Sequence, residues 1–498
     1  MNVQSKKVVW ISLLILILIA ASGTTYVQHL SIKQQRKAVS LSIQKITATH
    51  DSNAQGISVQ RLPQAAHVSV VKPAAKRSSK ASSVTSSTGY ITPTSPGLPA
   101  LDALDRVTGQ AASEQDQGQD YIPNGWGSHK NRIVRTSGGD LFTVFVGDGA
   151  ASTDRTWHMM HQAPGSSSWV EMASGDAGQE PINILVGPHD ELYIFTWPGT
   201  KGQLMEYEST DLGQHFISSQ IDGTWDTSQG YTGSGINAVG DIVVVQTGHD
   251  VPGIFRWAYY SPASGKWSYH ENTLDVRHTY TYVFPGYNND LTLVAMRDAL
   301  RSELGYPSVP NFNYIFNEIS YYYIANVNQP VLQSVQVAEV PPGADNEVDI
   351  TYLTDVYMDT QGRTHVLYTN YYAGETYHAI VDHGILIKNV PVTGIDSTHK
   401  ARIIQDALGH FYILATSASG LSINLYPGIA QDTDGTQLQS PVSLDISKYP
   451  TCDDYDLCNN PTLTVPRAGD ALSNTIDGVY GNYGAEIHFR INLRSNGS

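Results

Sequence analysis

The chain has 498 residues, enough for one large domain or two to three ordinary ones, and a formal net charge of −16. Basic residues are concentrated before position 101, where Asp51 is the only acid, so the remainder of the chain is strongly acidic. An acidic body argues against nucleic acid as a partner, because binding phosphates requires a basic surface.

Residues 1–27 form a targeting segment. Lys6 and Lys7 precede an uncharged, mainly apolar run that continues to Val27 and is long enough to span a bilayer. We expect an uncleaved signal anchor, a transmembrane helix with both lysines in the cytoplasm and the remaining chain on the opposite side. The alternative is a secreted protein, since the small residues at 20–23 could supply a signal-peptide cleavage site.

Residues 28–120 show no sustained apolar periodicity, and residues 76–100 are rich in Ser, Thr and Pro. Such a segment cannot bury enough apolar surface to offset the entropy lost on ordering. The sequence therefore predicts a disordered stalk over residues 28–120, followed by one folded domain over residues 121–498.

The domain over residues 121–498 contains six similar strand-like runs, each flanked by further strand candidates. They begin at Leu141, Leu192, Ile242, Leu291, Thr364 and Phe411. Four short strands within about 45–50 residues make one blade of a β-propeller, and most of these runs follow one another at that spacing. The pattern predicts an all-β propeller, with an inserted loop in the longer interval before Thr364.

The end of the domain supplies a further blade. Two strand candidates in residues 474–494 predict a seventh blade, which we expect to be closed by a strand from residues 121–135. Closure by both ends of the domain removes the open sheet edge that otherwise invites aggregation. Six blades with an elaborate last blade is the alternative.

The motif STDLGQHF, residues 209–216, falls between the third and fourth strand candidates of the second blade. Asp211 can accept backbone N–H bonds in a turn, Gly213 can adopt a left-handed conformation and Phe216 can pack into the blade. The spacing of Ser209, Asp211, Gly213 and Phe216 resembles the Asp box of sialidase-like (BNR-repeat) propellers. The resemblance implies a hairpin turn between the two outer strands of a blade, with a structural role.

The two cysteines of the chain, Cys452 and Cys458, lie close together in an exported protein, which favours a local disulfide. The alternative is a calcium site that uses Asp453, Asp454 and Asp456. No other cofactor or metal is predicted.

Resemblance to sialidases also implies a carboxylate-binding arginine cluster. Arg132, Arg297 and Arg402 lie at or near predicted inner strands and could form such a cluster. The sequence departs from the family because Val134 stands where those enzymes have proline. Their acidic catalytic residue and Tyr–Glu pair cannot be assigned here.

Two histidines beside basic residues suggest a different chemistry. His129 and His278 could transfer protons near neutral pH, and the Tyr282 hydroxyl could share that work. With Arg132 they suit β-elimination from uronic-acid polysaccharides, and in chemistry and architecture the set resembles seven-bladed propeller lyases of ulvan type. The alternative is that the histidines cap turns and the arginine pairs with an acid.

We therefore expect a glycan-active enzyme, a hydrolase or a lyase, at the cell surface. The predicted catalytic residues are His129, His278 and Tyr282, and the predicted substrate-binding residues are Arg132, Arg297 and Arg402. The alternative is a non-catalytic propeller that binds carbohydrate or a surface protein. Because the body is acidic, a polyanionic substrate would require a local basic pocket.

Overall fold

The computed structural model describes residues 69–70, 98–107, 129–147, 156–177, 182–196, 203–226, 231–248, 250, 252–307, 313–341, 351–398, 400–451, 460–482 and 485–493. The chain divides into two compact units. The first comprises Met1–Pro63 and Tyr306–Asn313, of which residues 306, 307 and 313 are described. The second comprises Gln64–Gly305 and Tyr314–Ser498 and contains every strand given below.

Several predicted features lie outside the described residues. They are the anchor at 1–27, most of the stalk, and the cysteine loop with Cys452 and Cys458. In the part of the chain that is described, no helix has the length and apolar character needed to cross a membrane.

The described strands of the second unit form seven main antiparallel sheets, the blades of a β-propeller. Blade 1 consists of Ile133–Arg135, Leu141–Gly147, Thr156–Gln162 and Val170–Asp176. Blade 2 consists of Asn183–Val186, Leu192–Thr196, Leu204–Ser209 and Ile217–Ile221. Ser69–Val70 adds a fifth strand to blade 1. Blade 3 consists of Tyr231–Ile236, Ile242–Thr247, Ile254–Ser261 and Lys266–Thr273. Blade 4 consists of His278–Pro285, Leu291–Arg297, Glu318–Ile324 and Leu332–Glu339.

The remaining blades follow the same plan. Blade 5 consists of Thr351–Met358, Thr364–Asn370, Glu375–Asp382 and Ile385–Asp396. Blade 6 consists of Ala401–Gln405, Phe411–Thr416, Ser422–Pro427 and Val442–Asp445. Blade 7 consists of Thr462–Leu463, Thr475–Asn482, Ala485–Asn492 and, as its outer strand, Ala100–Arg106. The insertion in blade 4 holds a hairpin, Ala299–Leu300 with Tyr314–Ile315, and a 3-10 helix, Arg301–Leu304.

The six runs recognised in the sequence are the second strands of blades 1–6, so the predicted all-β propeller with seven blades is confirmed. Such a strand is covered on both faces by neighbouring blades. Every residue of Leu192–Thr196, Ile242–Thr247 and Phe411–Thr416 is accordingly buried. Their continuous apolar character follows from this two-sided burial.

Closure of the ring differs from the prediction. Ala100–Arg106 pairs with Ala485–Asn492, whereas Ile133–Arg135, within the segment expected to close the ring, is the inner strand of blade 1. The propeller therefore includes residues that the sequence analysis placed in the stalk. A bulge between Leu101 and Ala103 explains why the sequence of this strand lacks the regular alternation of apolar and polar residues. Leu101 and Leu104 both pack on the core, although their three-residue spacing is not that of a regular strand.

The turn at residues 209–216 lies between the third and outer strands of blade 2. Ser209 Oγ accepts the Gly213 N–H at 2.9 Å, and Asp211 Oδ1 accepts the His215 N–H at 2.9 Å. Gly213 has a φ of 76°, and the ring of Phe216 lies edge-on to Trp157 at 6.3 Å. These contacts give each of the four motif residues a structural role in the turn.

Blades 3 and 4 approach closely through two glycines of the inner strand Tyr231–Ile236. A β-carbon at Gly233 would overlap the carbonyl oxygen of Thr281, and one at Gly235 would overlap that of Val283. Both carbonyls belong to the inner strand of blade 4. The glycines are therefore needed for close backbone approach.

We expect Gly233→Ala to lower the free energy of unfolding by about 1–3 kcal/mol, because the added methyl group must displace backbone. Gly138→Ala is the matched control, since the nearest atom to its β-carbon would be Asp140 Oδ2 at 3.4 Å. Chemical unfolding of both variants checks this prediction. Equal losses would contradict the proposed blade contact.

Candidate functional site at the channel mouth

The inner strands of the seven blades contact one another around the central channel, and we call the end at which they begin the mouth. Aromatic and basic side chains gather there. We define the mouth cluster by its residues, which are His129, Lys130, Tyr231, Tyr280, Tyr282, Tyr352, Lys400 and Arg467. They come from six blades, all except blade 2, so only the closed ring assembles them.

His129 lies in the segment that leads into blade 1 and is 1% exposed. Its ring stands edge-on to Tyr280 at 5.4 Å and to Tyr282 at 6.4 Å. Neither ring nitrogen is hydrogen-bonded to a described residue. Burial, with the charges of Lys130 and Arg467, lowers the pKa of the His129 imidazole well below its usual range. The side chain is therefore neutral at pH 7 and has free nitrogen atoms.

Tyr282 brings a hydroxyl group to the same place from the inner strand of blade 4. Its Oη donates to the Thr354 carbonyl oxygen at 3.2 Å, and its side chain is fully buried. The Arg467 guanidinium lies 4.8 Å from the centre of its ring. The structure thus brings together two predicted catalytic residues, His129 and Tyr282.

A bulge in the inner strand of blade 4 shapes the mouth. The register with the second strand shifts between Thr279 and Tyr282, and Tyr280 has a φ of 55°, which is strained for a bulky side chain. Its ring packs on Tyr231 at 4.9 Å and on Tyr352 at 5.8 Å. The bulge therefore directs an extra aromatic ring into the mouth.

The bulge also separates His278 from Tyr282. Residues four apart in a regular strand lie on the same face, but the inserted residue turns His278 to the opposite face of blade 4. There His278 packs on Tyr322 at 5.7 Å and lies 3.7 Å from a carboxylate oxygen of Glu318. His278 is therefore not part of the mouth cluster.

Positive charge is concentrated at the mouth although the chain as a whole is acidic. Lys130 donates to Thr232 Oγ1, and the Lys400 ammonium lies 3.4 Å from the ring centre of Tyr352. Arg277, ion-paired with Asp298, lies nearby with its guanidinium 5.9 Å from the ring centre of Tyr231. Lys130, Lys400 and Arg467 therefore give the mouth a local positive charge within an acidic chain.

Arg467 is one of the mouth residues that the sequence analysis missed. It lies in the 3-10 turn Pro466–Ala468, between the first two strands of blade 7, and its Nη1 donates to the carbonyl oxygens of His129 and Ser234 at 2.9 and 3.2 Å. Gly469 ends the turn at a φ of 98°, where a β-carbon would overlap a carbonyl oxygen of blade 2. The sequence of this turn gives no signal that it reaches the channel.

The three predicted substrate-binding arginines are bonded to the protein itself. Arg132 is buried and pairs with Glu486, Nη1 to Oε1, at 2.6 Å. Arg402 is buried and donates to the carbonyl oxygens of Pro461, at 2.6 Å, and Thr354. Arg297 pairs with Glu318 and also with Glu339, and so belongs to the cluster around His278. Their contacts do not bring them together as a carboxylate-binding cluster.

The chain is similar to solved structures of other proteins. The crystal structure of the polysaccharide lyase Uly1 is similar with a TM-score of 0.51 and 12% identity, over 79% of this chain and 100% of that chain. An α-L-arabinanase of Penicillium chrysogenum complexed with arabinobiose has a TM-score of 0.39 and 12% identity, over 70% of this chain and 98% of that one. A variant of the Aleuria aurantia lectin in complex with Fucα1-6GlcNAc has a TM-score of 0.37 and 12% identity, over 64% and 96%.

No family model matches this chain, and no curated protein sequence does. The similarity to Uly1 shows the shared β-propeller fold, and the activity of this chain has to be argued from its own site. The resemblance of residues 209–216 to an Asp box remains a prediction.

Proposed function

We propose that this propeller acts on an anionic, uronate-containing polysaccharide at its channel mouth and cleaves it by β-elimination. The observation that carries the proposal is a neutral histidine, His129, placed beside Tyr282 within a basic and aromatic pocket. Cations can neutralise the uronate carboxylate, and the tyrosine rings offer faces on which sugar C–H groups pack. The polysaccharide lyase Uly1 shares the fold, which agrees with the proposal but does not carry it.

The chemistry requires one base and one acid. His129 takes the proton from the carbon beside the carboxylate, C5, and the electron pair of that bond forms a C4–C5 double bond. The C4–O bond breaks, and the leaving oxygen receives the proton of the Tyr282 hydroxyl. Return of the proton from His129 to Tyr282 restores both side chains. The nearby positive charges of Lys130 and Lys400 lower the energy of the charge that develops on the carboxylate.

Binding without cleavage is the second candidate function, and burial favours it. His129 is 1% exposed and Tyr282 is fully buried, so a sugar that contacts only the partly exposed residues of the mouth does not reach them. The rim residues Tyr231 and Tyr352 are partly exposed and could hold a glycan alone. Export of the propeller, on a membrane anchor or after cleavage, remains part of the proposal under either function.

The test is to incubate the full chain with uronate-containing and neutral polysaccharides. Ultraviolet absorbance of an unsaturated uronate would support elimination, and new reducing ends without that absorbance would mean hydrolysis. Retention on the polysaccharide without turnover would support the binding function. No cleavage and no retention with any uronate polysaccharide would contradict both candidate functions.

The lowered pKa of His129 sets the pH dependence of the proposed reaction. The base is the neutral imidazole of His129. Because its pKa in the folded protein lies below the ordinary value of 6.5, the imidazole stays neutral, and able to accept a proton, when the pH falls through 6.5. We therefore expect the acidic limb of the kcat/KM profile below pH 6.5. Initial rates of unsaturated product formation measure it. A limb at or above that pH would mean that another group is the base.

A further inference from the structure

Arg467 is a buried arginine that forms no ion pair with the residues the structure describes. Its side chain is 7% exposed, and its two hydrogen bonds go to backbone carbonyl oxygens. Its Nε donates to no described residue, and no described carboxylate forms an ion pair with it. A guanidinium taken out of water in this way is strongly unfavourable unless another group compensates its charge.

Two other buried arginines of the propeller are compensated directly. Arg132 pairs with Glu486 and Arg277 pairs with Asp298, and all four side chains are nearly fully buried. Arg467 has no such carboxylate partner among the described residues, although its guanidinium lies within the ring, against His129 and the inner strands of blades 3 and 4.

The carboxylate that influences Arg467 is shared with a second arginine. Asp355 accepts the Ile403 N–H at 2.9 Å. The positive charges of Arg402 and Arg467 both act to lower the pKa of its carboxyl group. Burial raises the pKa of Asp355 to about 6 in spite of these two cations. Among the described residues, Asp355 is the one carboxylate that acts on Arg467, and it acts on Arg402 as well, so a single carboxylate is left to balance two guanidinium groups.

The groups around Arg467 also limit what can reach it. The His129 and Ser234 carbonyls bind it, the Tyr282 ring covers it, and these three residues are at most 1% exposed. A small ion displaces these groups less than a carboxylate attached to a sugar ring does.

We propose that Arg467 forms one side of a binding site for a small inorganic monovalent anion of the chloride type within the channel. The unbonded Nε is the donor offered to the anion, and the anion compensates the excess charge of Arg402 and Arg467. Although Arg467 lies beside His129 and Tyr282, the anion takes no part in the proposed elimination, so the inference does not depend on the proposed function. It makes the anion part of the folded propeller.

The test measures thermal unfolding of the full chain while sodium chloride replaces sodium isethionate at constant ionic strength. An anion that binds only the folded state raises Tm with a saturable dependence on its concentration. We expect a rise of a few degrees for the wild type and for Arg256→Gln, whose arginine pairs with Asp250 outside the channel. We expect no such rise for Arg467→Gln, and an equal rise in that variant would overturn the proposal.

A second measurement stands even if Arg467→Gln fails to fold. Anomalous diffraction from wild-type crystals soaked in sodium bromide should give a peak in contact with the Arg467 guanidinium, and its absence would overturn the proposal. Thermal unfolding in chloride-free buffer with sodium glucuronate, and with neutral glucose as its control, tests whether a sugar carboxylate binds Arg467 in place of chloride. A rise in Tm with glucuronate but none with chloride would assign Arg467 to the sugar carboxylate instead. Failure to cleave polysaccharide would leave the chloride result unaffected.

Discussion

Replacing His129 by glutamine is expected to reduce the rate of unsaturated product formation by about 10²–10⁴-fold, the usual contribution of a positioned general base. The substitution keeps a polar side chain of similar size between Tyr280 and Tyr282 but removes the nitrogen that takes the proton. Initial rates on a uronate polysaccharide measure the loss. Retention on the same polysaccharide should remain, because the cations of the mouth are unchanged.

The matched control is His189→Gln, at an exposed turn of blade 2 away from the mouth, which should leave the rate unchanged. Thermal unfolding of both variants shows whether either has lost its fold. His278→Gln separates the structural assignment from the sequence prediction. If it abolishes turnover while His129→Gln does not, the base lies in blade 4 and the assignment to the mouth cluster is wrong.

Replacing Arg132 by methionine is expected to lower the free energy of unfolding by about 3–5 kcal/mol, because it leaves Glu486 buried without its partner. Arg132 also donates to Thr462 Oγ1 at 3.1 Å, so the substitution breaks contacts between blades 1 and 7. Chemical denaturation with a two-state fit measures the change. This loss would show that Arg132 holds the ring together.

The double variant Arg132→Met with Glu486→Leu provides the control. Removing both partners leaves no uncompensated carboxylate, so most of the lost stability should return. Should Arg132→Met instead keep full stability and lose retention on polysaccharide, Arg132 would bind substrate as the sequence analysis predicted.

The architecture was accessible from the sequence because it depends on a repeated local pattern. A second strand such as Ile242–Thr247 is buried on both faces, so it is mainly apolar, and the turn before it carries residues that tolerate unusual backbone angles. This pattern recurs in blades 1–6. The mouth cluster was accessible only in part, since His129 and Tyr282 were predicted while Lys130, Lys400 and Arg467 were not.

The sequence by itself determined the propeller and its repeating blades, because hydrophobic periodicity and turn chemistry are local properties. It predicted seven blades with six as the alternative, and it predicted two of the residues at the mouth. The tertiary structure alone decided which side chains meet. One inserted residue near Tyr280 turned His278 away from Tyr282, and a bulge beside Leu101 hid the closing strand. Arg467 reaches His129 across a ring that only closure creates. Register shifts and contacts between distant blades depend on the packing of the whole ring, and no short stretch of sequence records them.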